Sequence, residues 1–414
     1  MSEDVYIYGV GMIKFGKYPD KTIKELTGQG LKALFEDCDL TPADIEAAWF
    51  SNAYWGMHSG QHSIRGQIAL SVHGIEGIPI TNVENACAGG STALHSAWTA
   101  VKAGLYDCTL AIGVEKGYDP NPKTRFKNLG GTDAEEMGKL LEYFLNAQKT
   151  VVEENNQPAG GEKIKKRSIF MDFYAAGAKW HMNKYGTTQH QLAIIASKAH
   201  NNAVLNPLAQ YTFPMTVDEV LQDREVAYPL TRAMCAPAGD GAAAAIVCSE
   251  KFLKKHSRQR AVQIRASVLN SGKRNAGDND LCTLTSDLTY DKAGVGPEDI
   301  SLAEVHDATA FGELYLTEGL RFCPPGEGGP YAESGATALT GIKPINTSGG
   351  LISRGHPIGA SGLAQIFELV TQLRGEAGQR QVNRPRLALA ENGGGTFTGG
   401  GEAAMAIHIL EKPH

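Results

Sequence analysis

Four stretches of the chain hold residues whose type and setting could do chemistry. Cys87 follows the short apolar run Ile80 to Val83 and stands just before a helical stretch that opens at Gly89 and Gly90. A thiol there meets unpaired backbone N–H groups and the positive end of a helix dipole, which lower its pKa and favour the nucleophilic thiolate. The other reading of a free cysteine is a small buried hydrophobe, and Cys38, Cys108, Cys235, Cys248, Cys282 and Cys323, which lack this setting, are assigned to packing. His356 opens a second glycine-rich turn, His356-Pro357-Ile358-Gly359-Ala360-Ser361-Gly362. A helix N-terminus disfavours the imidazolium, so His356 is expected neutral and able to take a thiol proton. Helix capping is its bland alternative. His306-Asp307 follows the apolar run Leu302 to Val305, at the kind of strand end where open α/β sheets bind ligands; its imidazole could donate a hydrogen bond to a thioester oxygen. Glu391-Asn392-Gly393-Gly394-Gly395 ends the strand that begins at Leu387. The glycines can turn backbone N–H groups onto an oxyanion, and Glu391 puts a carboxyl where a base is useful; a solvated strand end is the alternative.

These residues sit at matching places in a repeated pattern. Residues 40–48, LTPADIEAA, resemble residues 295–303, VGPEDISLA, and each precedes a strand-like stretch. The segment from Cys87 to Leu94 resembles that from His356 to Leu363, so Cys87 and His356 correspond. The helical stretches 91–103 and 361–374 end at Gly104 and Gly375, and the strands Leu110 to Val114 and Leu387 to Ala390 follow. Three matches in one order indicate duplication. Each half reads as short apolar strands alternating with helices of 3.6-residue period, such as Ile23-Leu26-Leu31-Leu34, which is the pattern of an α/β fold. If the halves are related by a twofold axis, the two helix N-termini face each other and thiol meets imidazole. The expected organisation is an N-terminal half over 1–116 completed by about 236–260, an inserted segment over 117–235, and a C-terminal half over 261–414. A bare connection as long as that insertion is improbable in a compact fold, so it is expected to form a loop domain capping the site.

Composition narrows the function class. The chain has 414 residues, 42% hydrophobic and 20% charged, with a mean hydropathy of -0.24. That suits a globular protein of two or three packed units rather than a disordered or membrane chain. Lys+Arg 39 against Asp+Glu 45, net -6, argues against a nucleic-acid surface. Seven cysteines with no CxxC pair fit neither a disulfide framework nor a zinc knuckle. With no basic leader at Met1-Ser2-Glu3-Asp4, no signal at Lys412-Pro413-His414 and no run near 18 apolar residues, the expectation is a cytoplasmic protein with no metal and no membrane contact.

The stretches Asn85-Ala86-Cys87-Ala88-Gly89-Gly90-Ser91, Val305-His306-Asp307-Ala308-Thr309, Asn346-Thr347-Ser348-Gly349-Gly350 and GHPIGASG from Gly355 resemble the thiolase superfamily, in its sterol-carrier-protein-X-like branch. The resemblance spans nearly the whole chain and implies a duplicated αβαβα layered fold with a loop domain over an acyl-CoA site. It implies coenzyme A as co-substrate with no tightly bound cofactor, at least a homodimer, and a 3-ketoacyl-CoA cleaved or formed through an acyl-Cys87 thioester. It further implies that His356 activates Cys87, that His306 and His356 hold the thioester oxygen, and that the N–H groups of Cys87 and Gly393 form a second oxyanion hole. Ser348, Gly349, Gly350 and Asn392 are expected to bind substrate. The sequence departs from the family at the acid/base: thiolases carry a second cysteine in a CxG motif, where this chain has Glu391, or in HDCF, where it has Ala308. A carboxyl with a raised pKa could take the role. The alternatives are an acyltransferase or retro-aldolase relative without simple thiolysis that depends on a small OB-fold, zinc-ribbon partner, and a catalytically silent partner subunit. Phe170, Phe173, Tyr174 and Trp180 are candidates for an acyl pocket, and Lys163-Ile164-Lys165-Lys166-Arg167 for CoA phosphates.

Overall fold

The fold comes from a computed structural model that describes residues 3–118, 169–273, 280–396 and 402–412. The basic run from Lys163 to Arg167 lies outside the described residues. The duplication is visible in the order of elements. In the first half β1 (Val5–Met12), helix Ile23–Asp37, β2 (Ala47–Ser51), β3 (Ile80–Val83), helix Gly89–Lys102 and β4 (Cys108–Lys116) run in sequence. After the insertion, which contains helices Ile169–Tyr185 and Gln189–Val204 and the small β5 (Glu225–Ala227) and β6 (Leu230–Thr231) pair, β7 (Asp240–Ser249) completes the half. The second half repeats the plan with β8 (Val262–Ser271), helix Leu281–Ala293, β9 (Leu302–Glu304), helix Ser361–Arg374, β10 (Leu387–Thr396) and β11 (Glu402–Glu411). The matched sequences fall on matched 3-10 turns, Pro42–Asp44 and Pro297–Asp299.

All strands but β5 and β6 form one mixed sheet in the order β3-β2-β4-β7-β1-β8-β11-β10-β9. The halves join edge to edge where β1 meets β8, with Tyr6 opposite Gln263 and Ile7 opposite Val262. Strand alternation sorts the core into layers. Ala243, Ala245 and Val247 of β7 and Ala388 and Ala390 of β10 face a central cluster with Leu94 and Val101 of the first central helix and Leu363, Ile366 and Leu373 of the second. The alternate residues Ala242, Ala244 and Ile246 face outward to Leu26, Leu31 and Leu34 of helix Ile23–Asp37. That helix starts at a capping box between Thr22 and Glu25, and Gly30 lets it approach β7 so closely that a Cβ would stand 2.8 Å from that of Ala242. On the other side helix Leu281–Ala293 packs through Cys282, Tyr290 and Ala293 on Ala266, Leu389 and Ile407. The result is the αβαβα layering. No described helix is long and apolar enough to cross a membrane.

Two elements differ from the sequence reading. The strand that begins at Leu387 does not stop at Glu391: β10 runs on through Gly395 to Thr396, and Glu391 is fully buried within it rather than solvated at its end. Its partner β11 returns antiparallel with Glu391 opposite Ile407. The glycines read as loop because they carry no periodicity, yet Gly393 and Gly394 pair with Met405 and Ala404 of β11, and nothing larger fits there. A Cβ on Gly394 would overlap the Asn85 carbonyl oxygen and stand 2.5 Å from Ala88 N.

The two central helices meet at their N-termini through bare backbone. A Cβ at Gly113 would overlap the Gly359 carbonyl oxygen, and one at Gly90 would stand 3.0 Å from that oxygen. Overpacking of this kind costs about 1–3 kcal/mol. Gly113→Ala should lower stability by about that amount in denaturant titration, and should disturb the His356 turn as well, read as a changed rate of Cys87 alkylation. A variant as stable as the parent would show that β4 and the His356 turn can part without loss.

Candidate active site

Cys87 is presented by a tight turn between β3 and helix Gly89–Lys102. Ala86 takes a left-handed conformation, φ 48, which a side chain rarely adopts. The turn is held by its neighbours: the Ala86 N–H donates to the Glu84 carboxylate at 2.6 Å, Asn85 Nδ2 to Thr92 Oγ1 at 3.0 Å, and the Ala88 N–H to the Asn85 carbonyl at 3.0 Å. Across the helix junction the His356 turn is clamped by Glu115 at the end of β4. This buried carboxylate accepts from the N–H groups of Ala53, Tyr54 and Gly359 at 2.9, 3.1 and 3.1 Å.

The clamp leaves His356 Nε2 3.3 Å from Cys87 Sγ. Its Nδ1 lies 2.7 Å from Ser361 Oγ, and the Ser361 hydroxyl itself donates to the Pro357 carbonyl at 3.0 Å. Ser361 Oγ must therefore accept from Nδ1–H, which puts the bare lone pair of His356 on Nε2, facing the thiol. His306 has the opposite tautomer. Asn392 Nδ2 donates to its Nδ1 at 2.9 Å, so Nε2 carries the proton. The His306 and His356 rings are edge to face with centroids 5.1 Å apart, and the donor atoms of Cys87, His306 and His356 lie within 4.8 Å of one another. With His306 presenting N–H, two of these atoms rather than three are lone pairs for a metal. The cluster is arranged to move a proton from thiol to imidazole and to offer an N–H to an oxygen.

Both imidazoles are held neutral. Burial pushes His356 well below the usual range, helped by His306 and Arg354, and burial with Arg354 lowers His306 to about 4. Cys87 departs from the expectation. Its thiol is pushed up to about 12, first by burial and then by the carboxylates of Glu402, Glu115 and Glu84. Helix-terminal stabilisation is worth only 0.3–1 kcal/mol in most settings, whereas burial moves a pKa by as much as 3–5 units.

Glu391 sits beside His306, whose backbone N–H donates to Glu391 Oε2 at 2.9 Å. Its carboxyl is pushed well above the usual range, by burial and then by Glu402. Gly393 lies under Glu402, since a Cβ there would overlap a Glu402 carboxylate oxygen. Ser348, Gly349 and Gly350 are placed otherwise. The Ser348 hydroxyl donates to Glu304 at 2.5 Å within a buried ion pair with Arg354, Gly349 is pressed on Ala203, and Gly350 on the Asp307 carboxylate. All three are buried in packing, with the Ser348 hydroxyl already engaged. Of the four aromatics, Tyr174 reaches the electrostatic range of Glu402, Cys87 and Glu391, while Trp180 is 50% exposed beside Tyr185. Sequence reasoning missed Ser361, although it stands inside GHPIGASG, and it missed Glu115 and Glu402.

Residues 5–251 match the family model for the thiolase N-terminal domain, and residues 279–410 match the thiolase C-terminal domain-like model. The chain belongs to the thiolase family. It is 36% identical to an acetyl-CoA acetyltransferase of Methanothermobacter thermautotrophicus over 99% of this chain and 100% of that one. It is 36% identical to sterol carrier protein 2 of Bos taurus over 94% of this chain and 69% of that one, and 32% identical to benzoylsuccinyl-CoA thiolase subunit BbsB of Thauera aromatica over 95% and 96%. Among solved structures, the Ltp2-ChsH2(DUF35) aldolase shares the fold with a TM-score of 0.77 at 20% identity over 99% of this chain and 98% of that one. This thiolase is an acyltransferase enzyme.

A resting site with a neutral thiol should be slow to alkylate. Iodoacetamide labelling of Cys87 in the free enzyme, followed by peptide mass, is expected to be no faster than that of an ordinary cysteine at pH 7 and to rise with pH beyond 9. A rate that is already high and flat near pH 7 would mean a thiolate–imidazolium pair instead.

Proposed function

We propose that this thiolase cleaves or forms a 3-ketoacyl-CoA through an acyl-Cys87 thioester, with coenzyme A as co-substrate. The observation that carries the reading is the relay Ser361–His356–Cys87, in which a neutral imidazole turns its lone pair on the thiol at 3.3 Å. His356 Nε2 takes the Cys87 proton as sulfur attacks the carbonyl carbon, and His306 Nε2–H receives the oxygen. The N–H groups of Cys87 and Gly393 serve the second oxygen. Asn392 positions His306 by fixing its tautomer. Positions 308 and 391 hold alanine and glutamate, so the proton at carbon moves on a carboxyl rather than a thiol, and Glu391 stands where the second cysteine of the family would.

Residues 117–235 act as the loop domain over the acyl-CoA site, a role supported by the reach of Tyr174 towards Cys87. We place the enzyme in the reducing cytoplasm, as a homodimer core. A second reading, acyl transfer or retro-aldol cleavage with a small OB-fold, zinc-ribbon partner, is favoured by the absence of both family thiols and by a relative that is named as a subunit.

Intact mass after incubation with a panel of aliphatic and aromatic acyl-CoA and 3-ketoacyl-CoA thioesters tests the reading. An acyl adduct is expected on the parent, absent from Cys87→Ala and removed by free CoA. An adduct that persists with CoA would favour the partner-dependent reading, and no adduct from any thioester would sink acyl-Cys87 chemistry.

A further inference from the structure

Glu391 is not the only carboxyl in the site. Glu402 opens β11, and its carboxylate lies on the α-carbon of Gly393, the residue whose N–H is offered to the second oxyanion. Glu391 and Gly393 are two apart on β10 and share a face, so the Glu391 carboxyl stands alongside. Neither carboxyl makes an ion pair among the described residues. Glu391 has one oxygen tied to the His306 N–H and the other, Oε1, buried without a partner. Glu402 has no hydrogen-bond donor among the described residues. Two neighbouring carboxyls with no cation repel each other as carboxylates, so Glu402 raises the proton affinity of Glu391 on top of the effect of burial. The two differ in what they face: Glu402 is the carboxylate that acts most strongly on Cys87, while Glu391 is anchored to the His306 loop.

We propose that Glu402 is the acid/base residue that moves the proton at carbon, with Glu391 as its neighbouring carboxyl. The inference rests on the acyl-Cys87 reading above. In cleavage the C2–C3 bond of the 3-ketoacyl-CoA breaks after Cys87 has added, its electron pair goes to C2, and C2 takes the proton from the Glu402 carboxyl. The proton lost by Cys87 stays on His356 Nε2. Incoming CoA thiol then gives its proton to the Glu402 carboxylate as its sulfur bonds to the acyl carbon. The electron pair of the broken carbon–sulfur bond returns to Cys87, which recovers the proton from His356. No group is consumed, and in the synthetic direction Glu402 takes the proton from C2.

The groups that face Glu402 are Glu391, Asp280, Cys87, Cys282, Tyr174 and Tyr315. All are acidic or neutral, and burial with Asp280 raises Glu402 to about 8. Cleavage needs the protonated form, so acyl-enzyme formation from a 3-ketoacyl-CoA should fall as pH rises through about 8. Acylation by a simple acyl-CoA, which needs no proton at carbon, should show no fall there.

The test compares Glu402→Gln with the full-length parent in two partial reactions. The first is acylation of Cys87 by acetyl-CoA, read by intact mass. The second is exchange of the acetyl-CoA C2 hydrogens in D2O together with single-turnover cleavage of acetoacetyl-CoA. Acylation within about threefold of the parent, with exchange and cleavage down roughly 100-fold or more, is the expected result. Glu402→Gln that exchanges and cleaves at the parent rate overturns the proposal, and so does a variant that loses acylation equally. A parent that forms no acyl-Cys87 from acetyl-CoA or from any thioester of the panel above sinks the underlying reading instead, which the acylation assay shows by itself. If Glu402→Gln does not fold, the parent pH profile decides: a cleavage rate with no fall near pH 8 overturns the assignment.

Discussion

Everything in this site depends on two helix N-termini meeting through bare backbone. Cys87 and His356 are 269 residues apart and are brought to 3.3 Å because the helices that follow them meet where glycines let the backbones approach closely. Gly90 and Gly113 lie on the Gly359 carbonyl, and a Cβ on Gly362 would overlap Ser91 Oγ. The duplicated sheet supplies the symmetry for that crossing. Strands β4 and β10 occupy matching places, and each ends beside the opposite helix, β4 through the Glu115 clamp on Gly359 and β10 through the contact of Gly394 with the Cys87 turn. One copy of the repeat presents a thiol and the other an imidazole, so the chemistry arises from a difference between halves whose backbones agree.

The second governing fact is that the site rests almost without charge. Both histidines are neutral, the thiol is protonated, and Glu391 and Glu402 are biased to keep protons, all chiefly because the groups are buried. A thiolate made here without substrate would face Glu402, Glu115 and Glu84 in a poorly solvated pocket. On the proposed acyl-Cys87 route it becomes accessible when an oxygen sits on His306 Nε2–H and charge moves from sulfur to that oxygen during attack, which is where preorganised donors contribute most. The tautomers set by Ser361 and Asn392 matter for the same reason. Reversing either would aim a proton at a proton or a lone pair at an oxyanion.

What could be read from the sequence followed from local pattern. The repeat, the helices with period 3.6 and the glycine turns at Cys87 and His356 all leave a trace within a dozen residues, and the structure joins Cys87 and His356 as the repeat suggested, with His306 beside them. What could not be read depended on burial at long range. The run from Gly393 to Gly395 has the composition of a loop, and only the contact with Asn85 and Ala88 shows that it is strand. With that strand unseen, β11 and Glu402 had no context. The thiol was misjudged for the same reason, because the helix terminus is local whereas the burial that outweighs it is made by the whole fold, with Glu402 and Glu115 adding from β11 and β4. Ser348, Gly349 and Gly350 belong to a family motif, and their packing on Glu304, Ala203 and Asp307 explains why those residue types are needed there without any ligand.

The exchange of a thiol for carboxyls changes what the rest of the fold must do. A cysteine holds its proton at neutral pH without help, since its ordinary pKa is near 8.5, whereas a carboxyl near 4.3 does so only when kept dry and beside another carboxyl. The inserted segment meets that demand. Tyr174, on helix Ile169–Tyr185, packs near Gly312 and stands among Glu402, Cys87, Glu391 and Asp307. Asp280 at the start of helix Leu281–Ala293 adds a third negative neighbour, itself held by Thr283 and Tyr315. Tyr174 thus stands close enough to these carboxyls to bear on their proton affinity. Substitutions in the loop domain that admit water should therefore change the pH dependence of carbon chemistry as well as substrate choice.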